Sequence, residues 1–222
     1  MQELNPKDSK LNLGILGFVA LLLGAICLID CTLVHGLPLI TSISESATTG
    51  NRAGMILPFA LGCMALYCAG YVGYCTSERI IVKIMAAGFV LVALQPCESI
   101  YITDSKVGAF GASPAVSGLL HNIGALIGFG LMFVWIAFFF TRSNGKMTTR
   151  KIWRNRIYMI CSSAMISAIS LFIVGNIVNM GSMLVFIAEN FLLIPAGVAI
   201  IIKSGLILAD KNVTASTNPI NF

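Results

Sequence analysis

The segment Ser117-Gly-Leu-Leu-His-Asn-Ile-Gly-Ala-Leu-Ile-Gly128 opens a long and mostly apolar run of the chain. On an α-helix, His121, Gly124 and Gly128 share one face, because residues three, four and seven positions apart are neighbours there. Glycines let a second helix approach closely, whereas an imidazole that faces lipid is costly unless it has a polar partner. The segment therefore predicts a membrane helix that carries one polar position into a helix bundle.

The composition of the whole chain indicates that lipid is its solvent. Of its 222 residues, 57% are hydrophobic and only 10% are charged. Soluble domains average about 45–50% apolar and about 25% charged residues. Because the excess of apolar residues extends over the full length of the chain, we predict an all-α membrane protein with one bundle rather than two domains.

Six apolar runs are each close to the roughly 20 residues that a helix needs to cross the hydrocarbon core. The predicted spans are residues 12–35, 54–75, 80–96, 115–141, 157–177 and 182–203. The predicted organisation is an N-terminal segment (1–11), a six-span domain (12–203) and a C-terminal tail (204–222).

The basic residues set the predicted orientation. With the N-terminus in the cytoplasm, 12 of the 14 Lys and Arg residues fall on the inner side, and only Arg52 and Lys106 lie outside. This asymmetry follows the positive-inside rule and predicts that both termini are cytoplasmic. The inner loop 142–156 carries six positive charges, and we expect it to contact anionic lipid. No basic groove with stacking aromatic residues is present, so nucleic-acid binding is excluded.

Polar side chains collect in the predicted outer half of the bundle. Part of this set comes from the hydroxyl-rich loop 37–50, which we predict to fold over the outer mouth as a lid. The predicted inner halves contain almost no buried acids. Ionisable residues inside a membrane are functional candidates because their isolated burial is costly. The candidate ligand-binding residues are Asp30, Ser42, Ser44, Glu45, Gln95, Glu98, His121, Asn122, Asn176, Glu189 and Asn190.

Three interpretations of these residues are open. They could form a hydrogen-bond network that only fixes helix register, or a cavity that binds or moves a lipid, a cation or a small molecule. In the third, Asp30, His121 and Glu189 hold a divalent metal in a hydrolase that acts on lipid. Because no HExxH spacing supports the third, we favour non-enzymatic binding or transport without a cofactor. A structural protein that associates with partners or with itself through the Gly124/Gly128 face is the further alternative.

The seven cysteines show no CxxC spacing, and most of them lie inside apolar runs. Cys31 and Cys97 both fall near the predicted outer face. A disulfide between them is therefore an open alternative to two free thiols.

Three short motifs resemble a known family. They are Pro38-Leu-Ile-Thr-Ser-Ile-Ser-Glu-Ser46 after the first span, Gln95 at the end of the third, and His121-Asn-Ile-Gly-Ala125 at the start of the fourth. This arrangement is similar to the damage-regulated autophagy modulator family and to bacterial six-helix membrane proteins of similar layout. In those families a Pro-aromatic-Ile-Ser-type motif follows the first helix, and a His-x-x-Gly-Ala-type motif opens the fourth.

The chain departs from the family pattern at two positions. Leu39 replaces the usual aromatic residue, and Glu45 stands near the place of an Asp-Thr-Gly element. The resemblance implies a six-helix membrane protein concerned with lipids or membrane trafficking. It supplies no catalytic residue.

Overall fold

The computed structural model describes residues 6–34, 42–49, 52–143, 147–178 and 183–208. Within these ranges the chain is all-helical and has no strand beyond one isolated bridge between Val107 and Ala112. The described helices are α1 (Pro6–Leu28), α2 (Ile43–Ser46), α3 (Arg52–Gly70), α4 (Thr76–Leu94), α5 (Pro114–Val134), α6 (Thr149–Ile177) and α7 (Met183–Ser204). Single π-helical turns, Ile29–Val34 and Trp135–Phe139, extend α1 and α5.

Four helical stretches are long and apolar enough to cross a membrane, by length and composition. They are Lys10–Leu33, Pro114–Phe139, Thr149–Gly175 and Leu184–Ser204. The predicted all-helical class is thereby confirmed for the described ranges, and four of the six predicted spans correspond to helices that could cross a membrane. Of the other two predicted spans, α3 is apolar over the shorter stretch Gly54–Gly70. The second of these two spans, α4, has charged residues in its first two turns.

Helix α6 begins at Thr149, eight residues before the predicted start of the fifth span. Its first turn is capped by Thr148, whose hydroxyl accepts a hydrogen bond from the Lys151 N–H at 3.1 Å. The second half of the predicted basic loop 142–156 is therefore helical, and its interpretation as a loop was wrong there. Helix α3 ends at Gly70, before the predicted 75, because the chain turns at Gly73, which has a φ of +69°.

The six long helices alternate in direction and form a ring in the order α1, α3, α4, α5, α6, α7. The most extensive packing joins α1 to α7, α4 to α5, α6 to α7 and α3 to α4. Helices α5 and α6 are neighbours in the ring but contact each other much less. The ring is therefore at its loosest between α5 and α6.

Glycines allow two of these pairs to pack closely. A Cβ atom on Gly197 of α7 would lie 2.6 Å from the carbonyl oxygen of Gly17 on α1. A Cβ atom on Gly88 of α4 would lie 2.6 Å from the backbone nitrogen of Gly128 on α5. Small residues at such crossings let the backbones meet. The face formed by Gly124 and Gly128 is thus covered by α4 of the same chain, and association of two copies through it stays a prediction.

Because the helices alternate, the bundle has two ends with different chemistry. We name them the His121 end, where α1, α4 and α6 finish, and the Glu78 end, where α4 and α6 begin. The basic side chains described at the Glu78 end are Lys10, Arg79, Lys83, Arg142, Arg150, Lys151, Arg154, Arg156 and Lys203. At the His121 end, the described ranges contain two basic residues, Lys106 and Arg52 at the start of α3.

Candidate ligand cavity

A cavity of about 350 Å³ lies at the His121 end, among α3, α5, α6 and α7. Its polar wall consists of Ser42, Ser44, Cys97, Glu98, His121, Asn122 and Glu189. Its apolar wall includes Leu57, Leu61, Ala125, Leu126, Phe129, Ala168, Ile169, Phe172, Leu192 and Leu193. Along α5 the polar residues His121 and Asn122 come first and the apolar ones lie deeper in the bundle, whereas on α7 Glu189 lies between the apolar lining residues Val185 and Leu192. This volume is at the lower end of the roughly 300–1,000 Å³ typical of small-molecule sites.

Six of the candidate residues predicted from the sequence line this cavity, and four others lie outside its wall. Gln95 and Glu45 are buried beside it, whereas Asp30 is partly exposed on the turn after α1. The Asn190 side chain donates to the Phe186 carbonyl at 2.8 Å and packs against Gly24 of α1. Asn176 lies near the end of α6, and its side chain is outside the described part, as are His35 and residues 37–41 of the predicted lid.

The Glu189 carboxylate ties α2 to α7 at the edge of the cavity. It accepts hydrogen bonds from the backbone N–H of Ile43, from the Ser44 hydroxyl at 2.7 Å and from the Ser44 N–H at 3.4 Å. A second carboxylate, that of Glu45, accepts a hydrogen bond from the Ser99 hydroxyl at 3.1 Å. The short helix α2 is therefore held between α7 and the connection that follows α4.

His121 has a structural partner at the end of α4. Its Nδ1–H donates to the Gln95 carbonyl at 2.8 Å, and one turn earlier the Ser117 hydroxyl donates to the Pro96 carbonyl at 2.9 Å. The last carbonyls of a helix have no partner within that helix, and the chain cannot continue helically before proline. Because a carbonyl only accepts, Nδ1 carries the proton and Nε2 is the acceptor in the neutral ring.

A second, smaller cavity of about 200 Å³ lies on another side of His121 and is also lined by Pro58, Pro96 and Gly108. Beside it the Gln95 side chain is fully buried, and neither atom of its amide has a hydrogen-bond partner among the described residues. Gly108, with a φ of +69°, packs directly against this amide. His121 therefore contributes to the walls of both cavities.

The structure does not bring the predicted metal ligands together. Across the described ranges, no three His, Cys, Asp or Glu side chains are close enough to hold a metal ion. Asp30 is not in the cavity wall, because the turn that carries it extends α1, which packs beside α7 and α3 rather than against α5. Metal binding and lipid hydrolysis stay predictions from the sequence.

Cys31 and Cys97 are free thiols in the structure. Cys97 follows α4 and lines the cavity. Its burial raises the pKa of the thiol to about 12, so this side chain is protonated at neutral pH. A protonated thiol is a poor nucleophile, and Cys97 acts here as part of the wall.

The Glu78 end holds a polar cluster that the sequence patterns did not predict. Glu78 is only 1% exposed. Its carboxylate accepts hydrogen bonds from the Trp135 indole N–H at 2.9 Å, the Tyr71 hydroxyl at 3.0 Å and the Tyr74 backbone N–H at 2.8 Å. The prediction that this half contains almost no buried acid was therefore wrong. The available indication was an acid in the first turn of a helix, preceded by two tyrosines.

Aromatic rings pack around this cluster. The Trp135 ring packs edge-on against Phe140 at 4.7 Å between centroids, and Phe140 packs in the same way on Tyr158 at 5.4 Å. The Lys203 ammonium lies 4.9 Å from the centroid of the Phe140 ring and 5.3 Å from that of Tyr74.

No protein-family model matches the chain, and no curated protein or solved structure matches it either. The resemblance to the damage-regulated autophagy modulator family thus rests on the three sequence motifs alone.

Proposed function

We propose that this protein is a six-span membrane protein, with both termini in the cytoplasm, that binds a lipid or another small amphiphile. The observation that carries the proposal is the cavity at the His121 end, whose wall combines polar side chains with an apolar part that reaches Leu61, Phe129 and Leu193. A molecule with a polar head and an apolar tail matches both halves of such a wall.

The proposed topology is supported by the ring of six alternating helices and by the basic side chains of the Glu78 end. Such an excess of Lys and Arg is typical of cytoplasmic ends. Helices α3 and α4 cross the membrane in this proposal because α1 and α5 flank them in the ring. We expect a glycosylation acceptor inserted next to Lys106 to be modified in microsomes, while Asn212-Val-Thr214 is not. Modification of the Asn212 site instead would contradict this topology.

The head group that the cavity favours is uncharged or cationic. Two carboxylates, those of Glu98 and Glu189, belong to the wall, and no Lys or Arg side chain does among the described lining residues. A carboxylate repels an anionic head and accepts hydrogen bonds from hydroxyl or ammonium groups. We therefore expect a monoacylglycerol or a long-chain amine to bind more tightly than a fatty acid of equal chain length.

The test is ligand-dependent stabilisation of the purified protein in detergent, with these three compounds as probes. The variant Ala125→Trp fills the apolar wall, whereas Ala87→Trp adds the same side chain on an exposed position of α4. We expect the monoacylglycerol to raise the melting temperature of the wild type and of Ala87→Trp, but not that of Ala125→Trp. Equal stabilisation of both variants would show that the molecule binds elsewhere.

The polar wall is tested by His121→Ala and Glu189→Gln. Both substitutions remove a group that faces the proposed head, so both should weaken stabilisation by the monoacylglycerol. Unchanged stabilisation in both variants would contradict the proposed binding mode.

A further inference from the structure

Helices α5 and α6 are joined firmly at the Glu78 end. Phe140, just after the extension of α5, packs its ring against Tyr158 of α6. The ammonium of Lys151, in the first turn of α6, donates to the Phe140 carbonyl at 2.8 Å. These contacts fix the two helices to each other at one end of the bundle.

Toward the His121 end the same two helices separate, and the cavity lies between them. Leu126 of α5 lines the cavity and is also 56% exposed. Asn122, one turn earlier, lines the cavity and is exposed as well. On the opposite side, Ile169 and Phe172 of α6 belong to the cavity wall and are partly exposed. A residue that lines the cavity and is also exposed indicates that the cavity is open beside it.

At the His121 end, the exposed Glu98 also lines the cavity, and two described segments cover part of the route from water. Helix α2 lies at the polar wall and is held there by Glu189. The connection after α4 folds back on the bundle, since the Ala109 N–H donates to the Leu94 carbonyl at 2.9 Å. The Ser117 hydroxyl attaches the start of this connection to α5.

We infer that the cavity is loaded from within the bilayer, by a single-chain amphiphile that passes sideways between α5 and α6 near Leu126. This inference rests on the proposed function and names its ligand class and its route. The chain of such a molecule already lies in hydrocarbon, so its transfer into an apolar wall requires no passage through water. The small volume of the cavity suits one chain rather than the two of a phospholipid.

The experiment measures the transfer of a fluorescent monoacylglycerol from vesicles to the reconstituted protein by stopped flow. Leu126→Trp narrows the opening and Leu126→Ala widens it. We expect Leu126→Trp to slow association and dissociation alike, by about fivefold or more, and Leu126→Ala to accelerate both. The two rates should change in the same direction, because a portal alters the barrier to passage both into and out of the cavity.

Leu119→Trp is the matched control. Leu119 is on the same side of α5 two turns earlier and is 61% exposed, but it does not line the cavity. Its substitution should leave both rates unchanged. Ile169→Trp narrows the opening from α6 and replaces Leu126→Trp if that variant does not fold.

The possible results separate the route from the proposed function. Saturable binding with rates that are insensitive to residues 126 and 169 would overturn the lateral route alone. Faster loading in Glu189→Gln, with Leu126→Trp unchanged, would also overturn it by assigning the route to the side of α2. The absence of saturable binding in the wild type would overturn the proposed function and this inference together.

Discussion

Each end of the bundle contains one glutamate whose carboxylate accepts three hydrogen bonds, and the two surroundings are opposite. The donors to Glu78 come from two separate parts of the chain, namely Tyr71 and Tyr74 in the connection between α3 and α4, and Trp135 in the extension of α5. All donors to Glu189 that the structure describes come from the adjacent residues Ile43 and Ser44. Aromatic rings fill the space around Glu78, whereas Glu189 borders a cavity.

The difference separates an acid that holds the fold together from an acid in the proposed binding site. A buried carboxylate that joins several elements, with its partners packed around it, holds those elements in register. A carboxylate that holds one short segment beside empty space can exchange that segment for a ligand. The number of hydrogen bonds is therefore less informative than the number of elements that supply them.

The largest expected effect comes from removing the two acids in turn. Glu78→Ala leaves three donors without an acceptor in a packed site and should destabilise the protein by about 3 kcal/mol or more. Glu189→Ala frees donors of one short helix that can reach water, so its loss should be about 1 kcal/mol. Thermal unfolding in detergent measures both. A larger loss for Glu189→Ala than for Glu78→Ala would contradict the distinction between the ends.

The second prediction concerns the α4–α5 crossing, which connects the two ends. A Cβ atom on Gly124 would lie 2.9 Å from the Gly88 carbonyl oxygen, so Gly124→Ala should cost about 1–3 kcal/mol through overpacking. On the same helix, a Cβ atom on Gly130 would meet no other atom within 4 Å, and Gly130→Ala should be neutral or slightly stabilising. Equal melting temperatures for the two variants would show that the crossing is looser than described.

The smallest effect is expected at Ser117. Loss of its hydrogen bond to the Pro96 carbonyl in Ser117→Ala should lower stability by about 1 kcal/mol. Ser167→Ala is the control, because the exposed Ser167 hydroxyl bonds only within its own helix, to the Ser163 carbonyl at 2.9 Å. If both substitutions lower the melting temperature equally, the end of α4 does not depend on this side chain.

Hydropathy was sufficient to predict the helical class and four spans, because apolar length is a local property of the chain. It was also sufficient to bring His121, Asn122, Ser44, Glu98 and Glu189 to one end, since alternating helices place their ends together. Hydropathy could not predict which groups would become hydrogen-bond partners. The carbonyl that His121 needs belongs to Gln95, which follows the last residue of α4.

The burial of Glu78 was not predicted for the same reason: it depends on residues that are distant in sequence. Glu78 is the residue before Arg79 near the end of an apolar run, and that position is typical of a solvated loop. Its burial depends on Trp135, which is 57 residues away in sequence. The exclusion of Asp30 from the cavity likewise depends on which helices pack beside α1, and no local pattern contains that information.

The most direct test of the central claim is an experimental structure with a brominated monoacylglycerol bound. The bromine atom gives an anomalous signal that locates the chain. We predict the bromine among Leu61, Phe129 and Leu193, with the glycerol head beside His121 and Glu189. A bromine at the Glu78 end or on the outer surface, with the cavity unchanged, would contradict the proposed site.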